Sequence, residues 1–298
     1  MSNKFKAHAA ILTANVIYGV NFIAVKQIIP DHLSWQALAL FRAFGALLLL
    51  WIASLFMKQE KLERKDVWKL AIAGILGVTI NQSLLVWGIQ LSSPVNASII
   101  MTLNPLFVMI LAAIILKFPI TPFKFLGILL GGSGAAILIL TSNHGNFSFA
   151  KSIGDLIILL NAVMYALYLV WTKPLMKKYG SFTVMKYTFL FGSFPVLTYG
   201  LYPAMQIDFS SLPLIVYCAI AFVVIGATFL TYMFNIIGLK YVNPTTVSIY
   251  IYLQPIIATI IAIIIGNDSF SWYKIGSMVL VFVGVYLVNL SNTESKQS

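Results

Sequence analysis

Gly88-Ile89-Gln90-Leu91-Ser92-Ser93-Pro94 is answered later in the chain by Gly238-Leu239-Lys240-Tyr241-Val242-Asn243-Pro244. Each stretch opens an apolar run with a second proline inside it, Pro105 in the first and Pro255 in the second. Outward from this pair the correspondence continues: Ser98, Thr102, Asn104, Lys124 and Gly134 meet Ser248, Tyr252, Gln254, Lys274 and Gly284 at one offset. Earlier in each half, Lys4, Tyr18, Lys26, Ser34 and Gly45 meet Lys151, Tyr165, Lys173, Ser181 and Gly192 at a slightly smaller offset. A loop that changed length while the helices were kept explains the difference. The chain therefore reads as two copies of one unit, residues 1–145 and 146–298.

Composition says where those units sit. Hydrophobic residues make up 60% of the chain and charged residues 9%, against roughly 25% charged in a soluble domain. Apolar runs of about 20 residues, enough to cross a hydrocarbon core, fall at about 7–29, 34–57, 67–90, 94–116, 122–141, 153–173, 182–202, 213–238, 244–265 and 272–290. The expected fold is an all-α integral membrane protein of ten transmembrane helices. With five helices per copy, the second copy enters from the opposite side, giving two inverted repeats and a shared cavity near the midplane, the architecture of secondary carriers.

The connections leave no room for a soluble catalytic or nucleotide-binding domain. A net charge of +11 does not point to nucleic acid, because the basic residues are spread over loops without interleaved aromatics. Orientation accounts for them. With the N-terminus inside, Lys58, Lys61, Arg64, Lys65, Lys69, Lys117, Lys124, Lys173, Lys177 and Lys178 fall in or beside cytoplasmic segments. A multi-pass protein of the cell membrane with both termini cytoplasmic is expected. The first span resembles a secretory signal behind Lys4 and Lys6, but its length and its recurrence as the sixth span argue against cleavage. Cys218 is the single cysteine and His8, His32 and His144 are scattered, so no disulfide, metal site or cofactor is expected.

Particular residues then stand out: Tyr18-Gly19-Val20-Asn21-Phe22-Ile23-Ala24-Val25-Lys26, Leu38-Ala39-Leu40-Phe41-Arg42, Asn104-Pro105-Leu106-Phe107, and Gly127 with Gly134. This ordered set resembles the EamA family of the drug/metabolite transporter superfamily, over nearly the whole chain and in both copies. The resemblance implies a ten-helix carrier of small metabolites, often an exporter of amino acids. Members usually carry a glutamate just after spans 4 and 9, where this chain has Lys117-Phe118 and Asn267-Asp268.

Polar side chains within spans should turn away from lipid. They single out Asn15, Tyr18 and Phe22 in span 1, Gln82 in span 3, and the stripe of Ser98, Thr102 and Pro105 in span 4. The second copy contributes Asn161, Tyr165 and Tyr168 in span 6, Tyr232 in span 8, the stripe of Ser248, Tyr252 and Pro255 in span 9, and Gln254 beside that stripe. These are the candidate substrate-binding residues. For any one of them the alternative is a hydrogen bond between helices or back to its own helix. Pro105 and Pro255 should loosen spans 4 and 9, as hinges or as tolerated kinks. Lys26 and Arg42 either attract a substrate anion in an outer vestibule, or serve structure, Lys26 by reaching the headgroups and Arg42 by holding helix ends or pairing with Asp155. Gly127-x-x-x-Gly131 and Gly134 read as close helix packing, within the bundle or between protomers.

No Asp or Glu falls in the middle of a span, so the usual carboxylate proton relay is missing. The leading reading is a solute carrier for small, polar or amphipathic metabolites, working by alternating access. A lipid flippase is the alternative, and an integral membrane enzyme ranks lower, since no nucleophile with its base, metal set or acid pair shares one depth. The partners expected are the bilayer and a small-molecule substrate; the oligomeric state is left open.

Overall fold

The computed structural model describes residues 3–57, 60–116, 122–140, 149–241, 250–266 and 271–294. The described residues are nearly all helical and include no strand. In a membrane a helix satisfies every backbone group within its own segment, which is why apolar sequence of this kind takes no other form. In chain order the helices are α1 Asn3–Ile28, α2 Trp35–Ser54, α3 Arg64–Gly74, α4 Asn81–Leu91, α5 Pro94–Met101, α6 Asn104–Leu116, α7 Pro122–Leu140 and α8 Phe149–Met205. They continue as α9 Leu214–Ala221, α10 Thr231–Tyr241, α11 Leu253–Ile264 and α12 Trp272–Glu294.

Six helical segments are long and apolar enough to cross a membrane. One of them, Ser152–Met205, is two helices in series, joined where Gly180 takes φ 70°, a conformation that suits glycine. Phe125–Leu140, Leu253–Ile264 and Trp272–Leu287 are apolar but shorter. Local signals place the starts. The Ser34 hydroxyl accepts from the Ala37 N–H at 3.2 Å to cap α2, and Ser93 caps α5 at 3.1 Å just ahead of Pro94.

Two irregularities recur at matching places in the halves. Between α3 and α4 the chain forms a π-helical segment, Ile75–Ile80, and between α9 and α10 another, Phe222–Leu230. Each ends just before polar residues, Asn81 and Gln82 in one half, Thr231 and Tyr232 in the other. The second irregularity is a break in spans 4 and 9. Regular helix stops at Thr102 and Leu103 before α6, and at Tyr252 before α11. Pro105 and Pro255 lie three residues past Thr102 and Tyr252, and without an N–H they leave the carbonyls of Met101 and Ile251 no i+4 donor.

Glycines bring the helices together, and the contacts exchange between the halves. A Cβ on Gly284 would stand 2.6 Å from the backbone nitrogen of Gly131, and one on Gly134 would stand 2.8 Å from the carbonyl of Ser277. The small-residue stripe of α7 thus packs within the bundle, against α12. Gly88 lies against Ile158 as Gly238 lies against Ile11, and Gly45 meets Val224 as Gly192 meets Gly74. Reciprocal contacts of this kind, i on j and j on i, are what a twofold operator between two like units produces.

Candidate functional site

Where the halves meet, buried polar groups from α1, α2, α8, α10 and α11 gather inside an apolar bundle. Asn15 is the first. Gly19, one turn further along α1, sits so close to α11 that a Cβ would stand 2.9 Å from Ile257 and 3.1 Å from the Gln254 carbonyl. That approach brings the Gln254 amide to donate to the Asn15 side-chain oxygen at 2.8 Å. The Asn15 amide donates in turn to the Ile11 carbonyl at 2.9 Å. Both side chains are buried.

Next along α1, Tyr18 receives a hydrogen bond from the Asn235 amide at 3.4 Å and lies beside Thr231. Tyr232 is the hub of the cluster, with Tyr18, Arg42, Tyr165 and Tyr168 as its electrostatic neighbours. The rings of Tyr165 and Tyr168 are 6.1 Å apart, and Phe189 meets Tyr232 edge-on at 5.6 Å. The Tyr168 ring occupies the space a Cβ on Gly77 would need, 2.5 Å away, so α8 packs directly on the π-helical segment before α4. Arg42 is 3% exposed, and Tyr18 and Tyr232 bear electrostatically on its charge.

Asn161 and Asn81 clasp each other's backbones. The Asn161 amide donates to the Asn81 carbonyl at 2.5 Å and the Asn81 amide to the Asn161 carbonyl at 3.3 Å. Nearby in α4, Gln82 is buried with its side-chain oxygen unpaired among the described residues. Phe22 is buried in the apolar core.

The two polar stripes behave differently from this cluster. The Ser98 hydroxyl donates to the Val95 carbonyl at 2.7 Å and the Thr102 hydroxyl to the Ile99 carbonyl at 2.6 Å. Each spends its hydrogen on its own helix, the weaker of the two roles open to such residues in a span. Tyr252 stacks near Phe282 with ring centroids 4.5 Å apart, and its buried hydroxyl has no partner among the described residues. Ser248 lies outside the described residues. The broken helices α5 and α11 nevertheless pack against each other.

Lys26 has a structural task that spacing did not reveal. Its ammonium donates to the carbonyls of Ile89, Gln90 and Ser92 at 3.2, 2.8 and 3.1 Å, capping the C-terminal end of α4 with positive charge. Asp155 serves the same region. It accepts from the Ser92 hydroxyl and, at 3.0 Å, from the Asn96 amide, and so binds α8 to the junction of α4 and α5. Arg42 turns elsewhere, toward the tyrosines. At this end of the bundle Trp35 stacks on Trp87 at 5.5 Å, with Tyr199 at 5.9 Å from Trp35. An open cleft of about 320 Å³ lies here too, between His32 and Ser34 before α2 and the turn from Pro203 to Leu212.

The opposite end is held by charge. Asp66 accepts from Lys178, Tyr179 and Lys69 at 2.7, 2.7 and 2.9 Å, and Lys178 also pairs with Glu63 at 2.6 Å. Glu63, outside the spans, has its carboxyl held below the usual carboxylate range by hydrogen bonds from Lys178 and Lys65. The network ties α3 of the first half to the bend of α8 in the second.

Comparison with known proteins decides the family. A model described as the EamA-like transporter family matches residues 5–140 and, a second time, residues 152–290. The chain belongs to the EamA-like transporter family. Among relatives of this EamA protein, the uncharacterized transporter YyaM of Bacillus subtilis is 31% identical over 247 residues, 82% of this chain and 79% of its own. An uncharacterized transporter of Archaeoglobus fulgidus is 28% identical over 91% of this chain and 94% of its own. A probable terminal-alkyne amino-acid exporter of Streptantibioticus cattleyicolor is 27% identical over 76% of this chain and 74% of its own. A crystal structure superposes on 96% of the chain and 97% of its own with a TM-score of 0.64 at 18% identity, a likeness of fold. Membership in this family makes the chain a multi-pass membrane protein among transporters, the class its apolar helices had indicated.

Proposed function

We propose that this EamA protein exports amino acids or related small metabolites across the cell membrane by alternating access through a cavity between its two halves. The observation that carries the reading is the cluster of buried Asn15, Arg42, Tyr168 and Gln254 with half-buried Tyr18, Tyr165 and Tyr232, to which both halves contribute. A polar group in a span is costly unless it serves packing or a solute, and a polar cluster built from both halves fits the shared site that an inverted-repeat carrier needs.

Three further features support it. The π-helical segments and the breaks ahead of Pro105 and Pro255 stand at the same places in each half. Such local weak points let one half rock against the other while the helix ends stay tied. The two ends of the bundle are fastened by different chemistry, backbone capping by Lys26 at one and the Asp66–Lys178 network at the other. With the N-terminus inside, the first is the outer end and the second the cytoplasmic end, so each is a natural gate. A relative named a probable amino-acid exporter adds to the choice of substrate class. The flippase reading is weakened, because Lys26, one of two basic side chains a headgroup site would draw on, is engaged with three backbone carbonyls.

Purified protein in liposomes should carry a radiolabelled amino acid or related metabolite saturably, and Asn15→Ala or Tyr165→Ala should slow it while the helix content stays the same. A broad solute panel without flux, with lipid scrambling instead, overturns the proposal.

A further inference from the structure

Arg42 is a permanent positive charge inside the bundle, 3% exposed. Its Nε and Nη1 groups meet no hydrogen-bond acceptor among the described residues. The side chains that bear electrostatically on it, Tyr18 and Tyr232, are neutral phenols. Among the described residues no acidic side chain pairs with it. Asp155 is engaged with Ser92 and Asn96, Asp66 with Lys69, Lys178 and Tyr179, and Asp31, Glu60, Glu63 and Asp208 lie in connections outside the helices. A buried guanidinium left this way is costly unless something anionic joins it.

The fold itself does not ask for the charge. At the offset that relates Tyr18 to Tyr165 and Gly45 to Gly192, the second-half counterpart of Arg42 is Phe189. Phe189 is 1% exposed and packs edge-on against the same Tyr232. One hub tyrosine thus has an apolar neighbour from one half and a cation from the other. An aromatic side chain meets the packing need at this position, so the guanidinium answers a different one.

We infer that Arg42, with the hydroxyls of Tyr18 and Tyr232, binds the carboxylate of the transported solute; this rests on the carrier reading above. The planar fork of a guanidinium matches a carboxylate through two parallel N–H···O bonds. Tyr18 accepts from the Asn235 amide, and its own O–H, which faces the Thr231 hydroxyl, can turn to donate to an anion instead. A single cation suits a monoanion. Lys26, the basic side chain near the end of span 1, is turned to the carbonyls at the end of α4, so a doubly charged phosphate finds no second positive partner in it. Solutes with no anionic group, such as polyamines or quaternary amines, should be refused, because they would bring a second positive charge to a buried one.

The test uses the full-length protein in liposomes with the proteinogenic amino acids, each set against its own carboxamide. The wild type should carry the acid at least about tenfold faster than the amide. Arg42→Gln should lose that preference by a similar factor, through the acid, while Arg42→Lys should recover part of it. Thermal shifts in detergent, read for the same acid and amide, separate lost binding from lost folding. Equal transport of acid and amide by the wild type, or an Arg42→Gln protein that keeps the wild-type KM for the acid, overturns the assignment and leaves the carrier reading standing. Saturable flux confined to solutes without an anionic group does the same. Flux of no solute at all brings down the carrier reading, and the assignment with it.

Discussion

The Gln254 amide of α11 donates to the Asn15 side-chain oxygen of α1 across 2.8 Å, joining the two halves in the interior of the bundle. It exists because Gly19 lets α11 approach within van der Waals reach of α1. Replacing Gln254 with Leu strands the Asn15 oxygen in an apolar setting, at a cost of about 1–3 kcal/mol. The denaturation midpoint in detergent should fall accordingly. Asn15→Leu in the same chain should give back part of the loss, since a pair replaced by apolar groups costs less than a pair broken. Additive losses in the double variant would show that the two side chains act separately.

The glycine contacts between α7 and α12 predict a contrast between two glycines of this helix pair. Gly284→Ala would press a methyl group to 2.6 Å from the Gly131 backbone, and overpacking of that kind costs roughly 1–3 kcal/mol. Gly132 in α7 has nothing within 4 Å of an added Cβ. Gly132→Ala should be neutral or more stable by up to about 1 kcal/mol, the helix-propensity gain. Thermal unfolding of both variants checks the pair, and equal destabilisation would contradict the close packing of α7 on α12.

In the carrier reading, Pro105 and Pro255 are the places where spans 4 and 9 give way. Pro105→Ala returns an N–H to the Met101 carbonyl and should straighten the break at Thr102 and Leu103. Stability should hold or rise while turnover falls and KM changes little, because binding groups are untouched and the motion is stiffened. Unchanged turnover in the Pro105→Ala, Pro255→Ala double variant would make both prolines passive kinks.

The charged end predicts a pH dependence. The Glu63 carboxyl is held below its ordinary value by Lys178 and Lys65. A carboxylate depressed in the folded state adds stability above its unfolded pKa, and the addition disappears as pH falls through the folded one. Glu63→Gln should therefore lower the melting temperature slightly at neutral pH, with the difference shrinking as pH falls below the ordinary 4.5 and vanishing below the depressed folded value. The pairs are solvent-exposed, so the neutral-pH effect should also shrink in high salt. A difference between wild type and variant that grows on acidification would reverse the assigned sign.

Much of the fold is legible in the chain alone, for identifiable reasons. Matched Pro105 and Pro255 carry their meaning locally, since a residue without an N–H interrupts any helix it sits in, and the breaks appear at both. Apolar length and the paired glycines likewise announce helices and close packing. Side-chain direction is harder. The spacing of Ser98 and Thr102 gives a common face but cannot tell a hydroxyl aimed at a solute from one bonded back to its own turn. The π-helical segments at Ile75–Ile80 and Phe222–Leu230 leave no mark in a hydrophobic pattern, because the residues within them are mostly apolar like those of the helices that lead into them. The Asn81–Asn161 clasp, the Lys26 cap on α4 and the Asp66–Lys178 network join residues far apart in sequence. Only the packing of helices distant in the chain brings them together, and a single sequence carries no trace of that.

The claim that matters most is that a solute occupies one enclosed site and is offered to the two sides in turn. Counterflow in liposomes addresses it directly. Vesicles loaded with a millimolar unlabelled amino acid and diluted into a trace of the same labelled compound should accumulate label transiently above equilibrium, because each return of the loaded site brings a labelled molecule in. Label that only equilibrates, at a rate indifferent to what the vesicle holds, would mean a pore or a leak and would contradict the account.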